Sequence, residues 1–472
     1  MEINGNKPLH VYFIGIGGIS MSALAEILLT RGYTISGSDV RESDLTQALT
    51  AKGAHIHIGQ RRENLTVPHG LPDIDLVVYT AAISTDNPEW IAMNERGLPS
   101  LSRAELLGQL MKTYHTPIAV SGTHGKTTTT GMIAEILIHT DHDPTITIGG
   151  ILLSLNANLR IGKSGYFITE ACEYANSYLN LFPKIGLILN VEADHLDFFS
   201  SLDEVRQSFR RFARLLPADG LLVISGDVEN LEEITADLAC HVVTFGFACE
   251  HDYYITDTDR LSELLSSFSL RRKGRERTDR YQLATPGKHN ILNAVAAIAV
   301  ADFLGINENE AAKSLAAFPG VERRFEKKGN INGFTIIDDY AHHPTEVETT
   351  LRTAARLPHR ELWCVFQPHT YTRTQAFLAE FAAALSLADK VVVVDIYAAR
   401  EKNESGISSR DLVKAVKEKG GECYYIPTGD PMATSFSAVE KFLLENLLPN
   451  DLLITMGAGD VGVIGENLLL QK

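Results

Sequence analysis

Lys126 lies in a run, GTHGKTT, whose residue types suit a grip on phosphate: Gly122, Thr123, His124 and Gly125 precede it, Thr127 and Thr128 follow. Glycines let backbone N–H groups approach phosphate oxygens, and a helix starting there adds partial positive charge. A lysine in this place reaches the β- and γ-phosphates of a nucleotide, and a threonine hydroxyl ligates Mg²⁺. The common loop G-x-x-x-x-G-K-[ST] would begin with a glycine where this chain has Val120, and the first glycine comes two residues later. Alone, the stretch is compatible with a plain glycine turn. The strand PIAV before it and the helical run TGMIAEILIH after it favour the nucleotide site.

A second glycine turn, Gly15, Gly17, Gly18, Ile19 and Ser20, follows the apolar run HVYFI. It matches the dinucleotide pattern G-x-G-x-x-G except that Ser20 takes the third glycine position, and Asp39 stands where a ribose-binding acid would. NAD is the default ligand for such a turn. The diphosphate of another nucleotide would use the same backbone physics.

Oxygen and nitrogen donors collect at further strand ends. TEACEYANSYL carries Glu170 and Glu173, and LNVEADHLDFF carries Glu192, Asp194, His195 and Asp197. Mg²⁺ takes few oxygen ligands from protein, so this set suits it; surface acids beside a satisfied histidine are the plainer reading. PGKHNILNAV places His289, Asn290 and Asn293 at a helix entry, where Asn290 could simply cap. GVERRFE offers Arg323 and Arg324, either of which could reach a transferring phosphoryl group or lie on a solvated face. TIIDDYAHHPTEV brings Asp338, Asp339, Tyr340, His342, His343 and Glu346, and VFQPHTYTRT brings Gln367, His369, Tyr371 and Arg373. Such residues after two apolar strands read as one binding wall. Zinc on His342, His343 and His369 is the rival, weakened because adjacent histidines point apart.

The elements that must position these groups follow from the pattern. Short Val/Ile/Leu runs such as LLVIS, KVVVV and DLLITM alternate with longer amphipathic stretches through all 472 residues. That pattern predicts parallel sheets covered on both faces, an α/β fold. Breaks near LGQLMKTYHT and AFPGVERRF divide the chain into three α/β domains, residues 1–112, 113–320 and 321–472. LRRKGRERTDR reads as an exposed hairpin in the central domain, while HIHIG and HTDHD are placed in loops or edges without chemistry. A formal net charge of −16 argues against nonspecific binding to nucleic acid or anionic membrane. Five cysteines without a C-x-x-C fit a reducing cytoplasm, and no apolar run is long enough for a membrane span.

Taken in order, GTHGKTTTT, EACEYANSYL, NVEADHLD, GKHNILNAVAA, RRFE, DDYAHHPTEV and FQPHTYTRT make the chain resemble the Mur ligases, the ATP-dependent amino-acid ligases of peptidoglycan precursor synthesis. GIGGISMSALA and the DDYAHHPTE and FQPH stretches are most similar to the branch that joins L-alanine to UDP-N-acetylmuramate. The resemblance implies a Rossmann-like N-terminal domain, a central P-loop-type ATPase domain and a Rossmann-like C-terminal domain, with activation of the lactyl carboxylate as an acyl phosphate, then attack by the amine. It implies Gly15, Gly17, Gly18, Ile19 and Ser20 around the UDP diphosphate, and ATP on the loop from Gly122 to Thr128. Thr127 and Glu173 would hold one Mg²⁺ and His195 a second. His289 and Asn290 would lie near adenine, and Arg324 and Asp339 near phosphates and ribose. Tyr340, His342, His369 and Arg373 would face the acyl phosphate and the amino acid, with Lys126, Glu173, His195, His342 and Arg373 carrying the chemistry. Thr370 stands where many alanine-adding members have arginine, and EACEY replaces the usual EADES. The lysine that some sister ligases carbamylate is absent: no lysine lies between Lys184 and Lys273. A monomer or homodimer is expected. Competing readings are a sister ligase adding a peptide or another amino acid, a nicotinamide-dependent dehydrogenase, and a nucleotide-binding regulator without chemistry.

Overall fold

The computed structural model describes residues 9–66, 70–80, 83–195, 198–260, 265–399, 401–429 and 435–471. Its strands form three sheets, giving three α/β domains. In the first, β1 (His10–Ile14), β2 (Thr34–Asp39), β3 (His55–Ile58), β4 (Leu76–Tyr79) and β5 (Ser100–Ser102) are ordered β3-β2-β1-β4-β5, all parallel. β1 is buried at every position, as its unbroken apolar run requires. The HIHI stretch is the edge strand β3.

The central sheet has ten strands: β6 (Thr116–Ser121), β7 (Thr145–Leu152), β8 (Ala157–Arg160), β9 (Tyr166–Glu170), β10 (Ile185–Ile188), β11 (Leu221–Ser225), β12 (His241–Gly246), β13 (Tyr253–Arg260), β14 (Ser266–Arg272) and β15 (Thr278–Leu283). Their order is β15-β14-β13-β12-β11-β10-β6-β9-β7-β8, and the charged LRRKGRERTDR stretch forms the β14–β15 turn. The third sheet orders β16 (Glu326–Ile331), β17 (Phe334–Asp339), β18 (Leu362–Phe366), β19 (Lys390–Val393), β20 (Glu422–Tyr425) and β21 (Leu452–Met456) as β16-β17-β21-β18-β19-β20. Parallel sheets were expected, but β8 and β16 run antiparallel to their neighbours β7 and β17. Each is an outer strand joined to its partner by a short turn, which only an antiparallel pair can use.

Strand order reverses beside β1 and beside β6, and open α/β sheets bind ligands at such crevices. The helix Lys126–His139 after β6 is buried from Thr127 to Leu137, so it is packed on all sides and its first turn is held firmly. Among the described residues no helix is long and apolar enough to cross a membrane.

The chain divides into two compact units. The first comprises residues 1–256, 270–279 and 293–315, and one hydrophobic cluster runs through its first and central sheets, from Val11 and Leu106 to Ala119, Phe167 and Phe212. The second comprises residues 257–269, 280–292 and 316–472, with separate clusters on the two faces of the third sheet.

Candidate active site

In the first unit the Gly122–Gly125 loop joins β6 to its buried helix. Gly122 has φ +134°, and a Cβ there would lie 3.0 Å from Leu189, so only glycine fits. Asn190, just past β10, holds the loop from the other side: its Oδ1 accepts from His124 N at 2.7 Å and its Nδ2 donates to His124 O at 3.1 Å. Thr123 is buried and accepts from Glu192 N at 2.9 Å, while the His124 ring lies 3.4 Å from the Glu192 carboxylate. Asn190 was overlooked in the sequence; its signal was an amide at the end of the strand beside the loop.

Lys126 turns back into this loop. Its ammonium donates to Gly122 O at 2.6 Å and Thr123 O at 3.0 Å, and to both Glu173 oxygens at 3.1 and 3.0 Å. Burial works against this charge, but Glu173, Cys172 and Glu170 outweigh it and raise the lysine above its ordinary range. His195 Nε2 lies 3.7 Å from Glu173 and 3.8 Å from Asp194, and its ring packs on Tyr174 at 4.8 Å. His195, Ala175 and Asn176 all have positive φ, so both loops that carry these acids are held in sparsely populated backbone. Thr127 and Thr128 are buried in the first helical turn. Asp197 lies outside the described residues. Lys126, Glu173 and His195 are therefore brought together, as their place at neighbouring strand ends implied.

Around the N-terminal turn, Asp39 does something different from what its position suggested. One oxygen accepts from Gly17 N and the other from Val40 N, both at 2.8 Å, so the carboxylate fixes the shape of the turn. Gly18, Ile19 and Ser20 line a cavity of about 380 Å³ that also meets Thr147, Glu170 and Cys172 of the central domain. Asn158 of β8 donates to Ile19 O at 2.9 Å and ties the start of that helix to the central sheet.

The second unit carries its own polar cluster at the ends of β17 and β18. Residue type alone offered two arginines, of which only the family resemblance picked Arg324; the structure gives them different partners. Arg323 donates to Asp338 at 2.8 Å and to the carbonyls of Gly459 and Gly457 at 2.9 and 2.7 Å. Both guanidiniums lie over the Tyr340 ring, at 5.1 and 5.2 Å from its centre, but the carboxylate beside Arg324 is Glu346, at 3.9 Å. Asp339 is buried, and its oxygens accept from Phe325 N and Ala341 N at 2.8 Å. Burial pushes its carboxyl up to about 7, against the pull of Arg324 and those N–H groups.

His342 Nδ1 lies 2.9 Å from Tyr340 O. A carbonyl only accepts, so Nδ1 carries the hydrogen and Nε2 is left as an acceptor. Burial pulls this imidazole down to about 4, with Glu346 opposing and Arg373 and Arg324 assisting. Glu346 caps the Pro344–Ala354 helix and accepts from His342 N at 3.1 Å, which makes it the hub of the cluster. Its capping role was legible in the H-P-T-E spacing, its contact with His342 was not. His369 stands 5.8 Å from His342, centre to centre, and stacks on Tyr397 at 5.7 Å. His343 faces Phe377 at 4.9 Å and caps its own helix, so the three histidines do not converge as a zinc site would need. Thr370 has φ +61° and caps the helix Tyr371–Ala376 that carries Arg373. His289 is pulled down to about 4 by burial and its Nδ1 has no partner among the described residues, while Asn290 donates to Pro286 O at 2.7 Å.

Comparison with known proteins adds three matches along the chain. Residues 10–115 match the Mur ligase family catalytic domain, 120–301 the Mur ligase middle domain, and 323–459 the Mur ligase, glutamate ligase domain. The UDP-N-acetylmuramate–L-alanine ligase of Agathobacter rectalis is 52% identical over 468 residues, covering 99% of both chains. That of Lachnoclostridium phytofermentans is 50% identical, again with 99% of each covered. Among solved structures, the UDP-N-acetylmuramate–alanine ligase of Thermotoga maritima superposes with a TM-score of 0.80 at 30% identity, covering 98% of this chain and 99% of that one. A murein peptide ligase from Psychrobacter arcticus gives 0.71 at 25% identity, covering 98% of each.

Proposed function

The chain belongs to the Mur ligase family, and from that premise we propose that it joins L-alanine to the lactyl carboxylate of UDP-N-acetylmuramate at the expense of ATP, in peptidoglycan precursor synthesis. The observation that carries the chemistry is the convergence of Lys126, Glu173 and His195 beside the glycine loop after β6. The full-length likeness to L-alanine ligases supports the choice of substrates.

ATP phosphates would lie against the backbone of Gly122 to Thr128, with Lys126 leaving its carbonyl and Glu173 partners to meet them. The residues fit Mg²⁺: Glu173 is a buried carboxylate flanked by the Lys126 ammonium and the His195 imidazole, and Thr127 adds a hydroxyl. Thr127 and Glu173 would hold one ion and His195 a second, and bound there they would offset the phosphate charge. The Gly15–Ser20 turn would take the UDP diphosphate on backbone amides, with Asp39 keeping the turn in shape. His289 and Asn290 are assigned to the adenine side, Arg324 and Asp339 to phosphate and ribose.

The lactyl carboxylate attacks the γ-phosphorus, the β–γ bridging P–O bond breaks and ADP leaves. Lys126 balances the charge of the resulting acyl phosphate. The alanine amine then attacks the acyl carbon, the C–N bond forms, and phosphate departs with the acyl–oxygen bond broken. His342 presents an unprotonated Nε2, a suitable acceptor for an N–H of the incoming amine. Tyr340, His369 and Arg373 are assigned to the amino acid and the acyl phosphate. The nucleotide substrates support a cytoplasmic site for the reaction.

Phosphate release measured across amino acids with UDP-N-acetylmuramate and ATP·Mg²⁺ tests this. L-alanine should be the best acceptor. Turnover with a preformed tripeptide but not with alanine would move the chain to the peptide-adding branch.

A further inference from the structure

The cavity beside the N-terminal turn contains a charge that the mechanism above does not use. Arg103 opens the helix Arg103–Met111 and lines the cavity together with Gly18, Ser20, Thr147, Glu170 and Cys172. Its backbone is fixed by a capping box: Ser102 N donates to Glu105 at 2.7 Å and Glu105 N to Ser102 Oγ at 3.2 Å. Among the described residues its guanidinium has no hydrogen bond and no ion pair. Glu170, whose charge acts on it, takes the Gly149 N–H at 2.7 Å. A half-buried guanidinium without a partner is costly unless a ligand supplies the missing anion.

The place of the cavity says which anion. Its walls include the turn residues assigned to the diphosphate and also Cys172, next in sequence to Glu173. Cys172 and Glu170 act electrostatically on both Arg103 and Lys126. The carboxylate that ATP activates must lie within reach of the phosphate held by Lys126. We propose that Arg103 receives the lactyl carboxylate of the nucleotide sugar, and so distinguishes it from nucleotide sugars that lack this group. The guanidinium would orient one carboxylate oxygen and leave the other to attack. This rests on the ligase reading.

The test compares binding of UDP-N-acetylmuramate and UDP-N-acetylglucosamine, which lacks the lactyl group, to the full chain and to Arg103→Gln. Loss of a charged hydrogen-bond donor should weaken the first by about 10- to 100-fold and leave the second within about twofold. Arg103→Lys keeps the charge but not the fork, and should lose about 3- to 10-fold for the first alone; it also decides the matter should the glutamine variant fail to fold. Equal weakening of both ligands would assign Arg103 to the diphosphate or the fold, and unchanged binding of both would remove it from the site; either overturns the proposal. Wild-type binding of UDP-N-acetylmuramate without alanine-dependent phosphate release would break the ligase reading, yet the two affinities would still decide Arg103.

Discussion

At the residue scale the buried pair Lys126–Glu173 does two jobs that mutation can separate. Each charge is tolerated because of the other, at 3.0 Å. Lys126→Ala should therefore lower turnover by at least about 10²–10³-fold through loss of phosphate stabilisation. It should also cost about 3 kcal/mol of stability, because Glu173 is left buried and unpaired. Adding Glu173→Gln should recover much of the stability in urea unfolding and none of the phosphate release. A Lys126→Ala protein as stable as its parent would show that the pair is not a buried ion pair. The second unit carries a pH signature. His289 and His342 titrate at about 4 in the fold, against about 6.5 unfolded. Their neutral forms are favoured by folding, so the stability they contribute is complete above about pH 6.5 and lost as pH falls toward 4. Asp339, raised to about 7, acts with the opposite sign between about 4 and 7. Two histidines outweigh one carboxyl, so the melting midpoint should fall across this window. His289→Gln should flatten the fall; an unchanged slope would mean His289 is not held neutral.

At the scale of elements, the helix Arg103–Met111 is set against the turn Tyr174–Asn180 by its one glycine. A Cβ on Gly108 would stand 1.9 Å from Asn180 O, a backbone atom that cannot swing away. Gly108→Ala must push the helix off, at about 1–3 kcal/mol. Because the same helix carries Arg103, the KM for UDP-N-acetylmuramate should rise while that for ATP stays within about twofold; equal change in both would count against this. This helix also marks where the sequence ran out. Its capping box was readable, but S-R-A-E looks like any solvated helix start, and only the fold, which brings Gly18–Ser20, β7 and β9 around one cavity, makes Arg103 a cavity wall. The glycine loop, by contrast, was legible, since strand, glycines and lysine are contiguous. The nearness of the acid and histidine strand ends to Lys126 followed because parallel neighbours put their ends on one edge; the choice of Glu173 and His195 among them came from the family resemblance. Which of Arg323 and Arg324 is spent on the fold was not legible: the answer lies in carbonyls more than 130 positions away, at Gly457 and Gly459. Asp39 was read from its position as a ribose acid, whereas the turn's own N–H takes one of its oxygens.

At the scale of the whole molecule, three α/β domains are distributed over two compact units, and this has a thermodynamic consequence. The first and central sheets share one hydrophobic cluster, are tied by Asn158 to Ile19 and by Arg31 to Thr113, and pack Lys112 over Phe182 at 4.0 Å. They should unfold together, although the family pattern assigns them to separate domains. The two tryptophans report one per unit: Trp90 against Tyr79 in the first, Trp363 buried in the second. In a Trp363→Phe protein, fluorescence follows the first unit through Trp90. A non-hydrolysable ATP analogue with Mg²⁺ at 100 times its Kd stabilises what it binds by about 2.7 kcal/mol. For a unit of this size that is about 4 °C in Tm. The Trp90 midpoint should rise by that amount, although the Gly122–Thr128 loop lies in the central domain and Trp90 in the first. If the first sheet melted on its own, the analogue would leave the Trp90 midpoint where it was, and only UDP-N-acetylmuramate would move it.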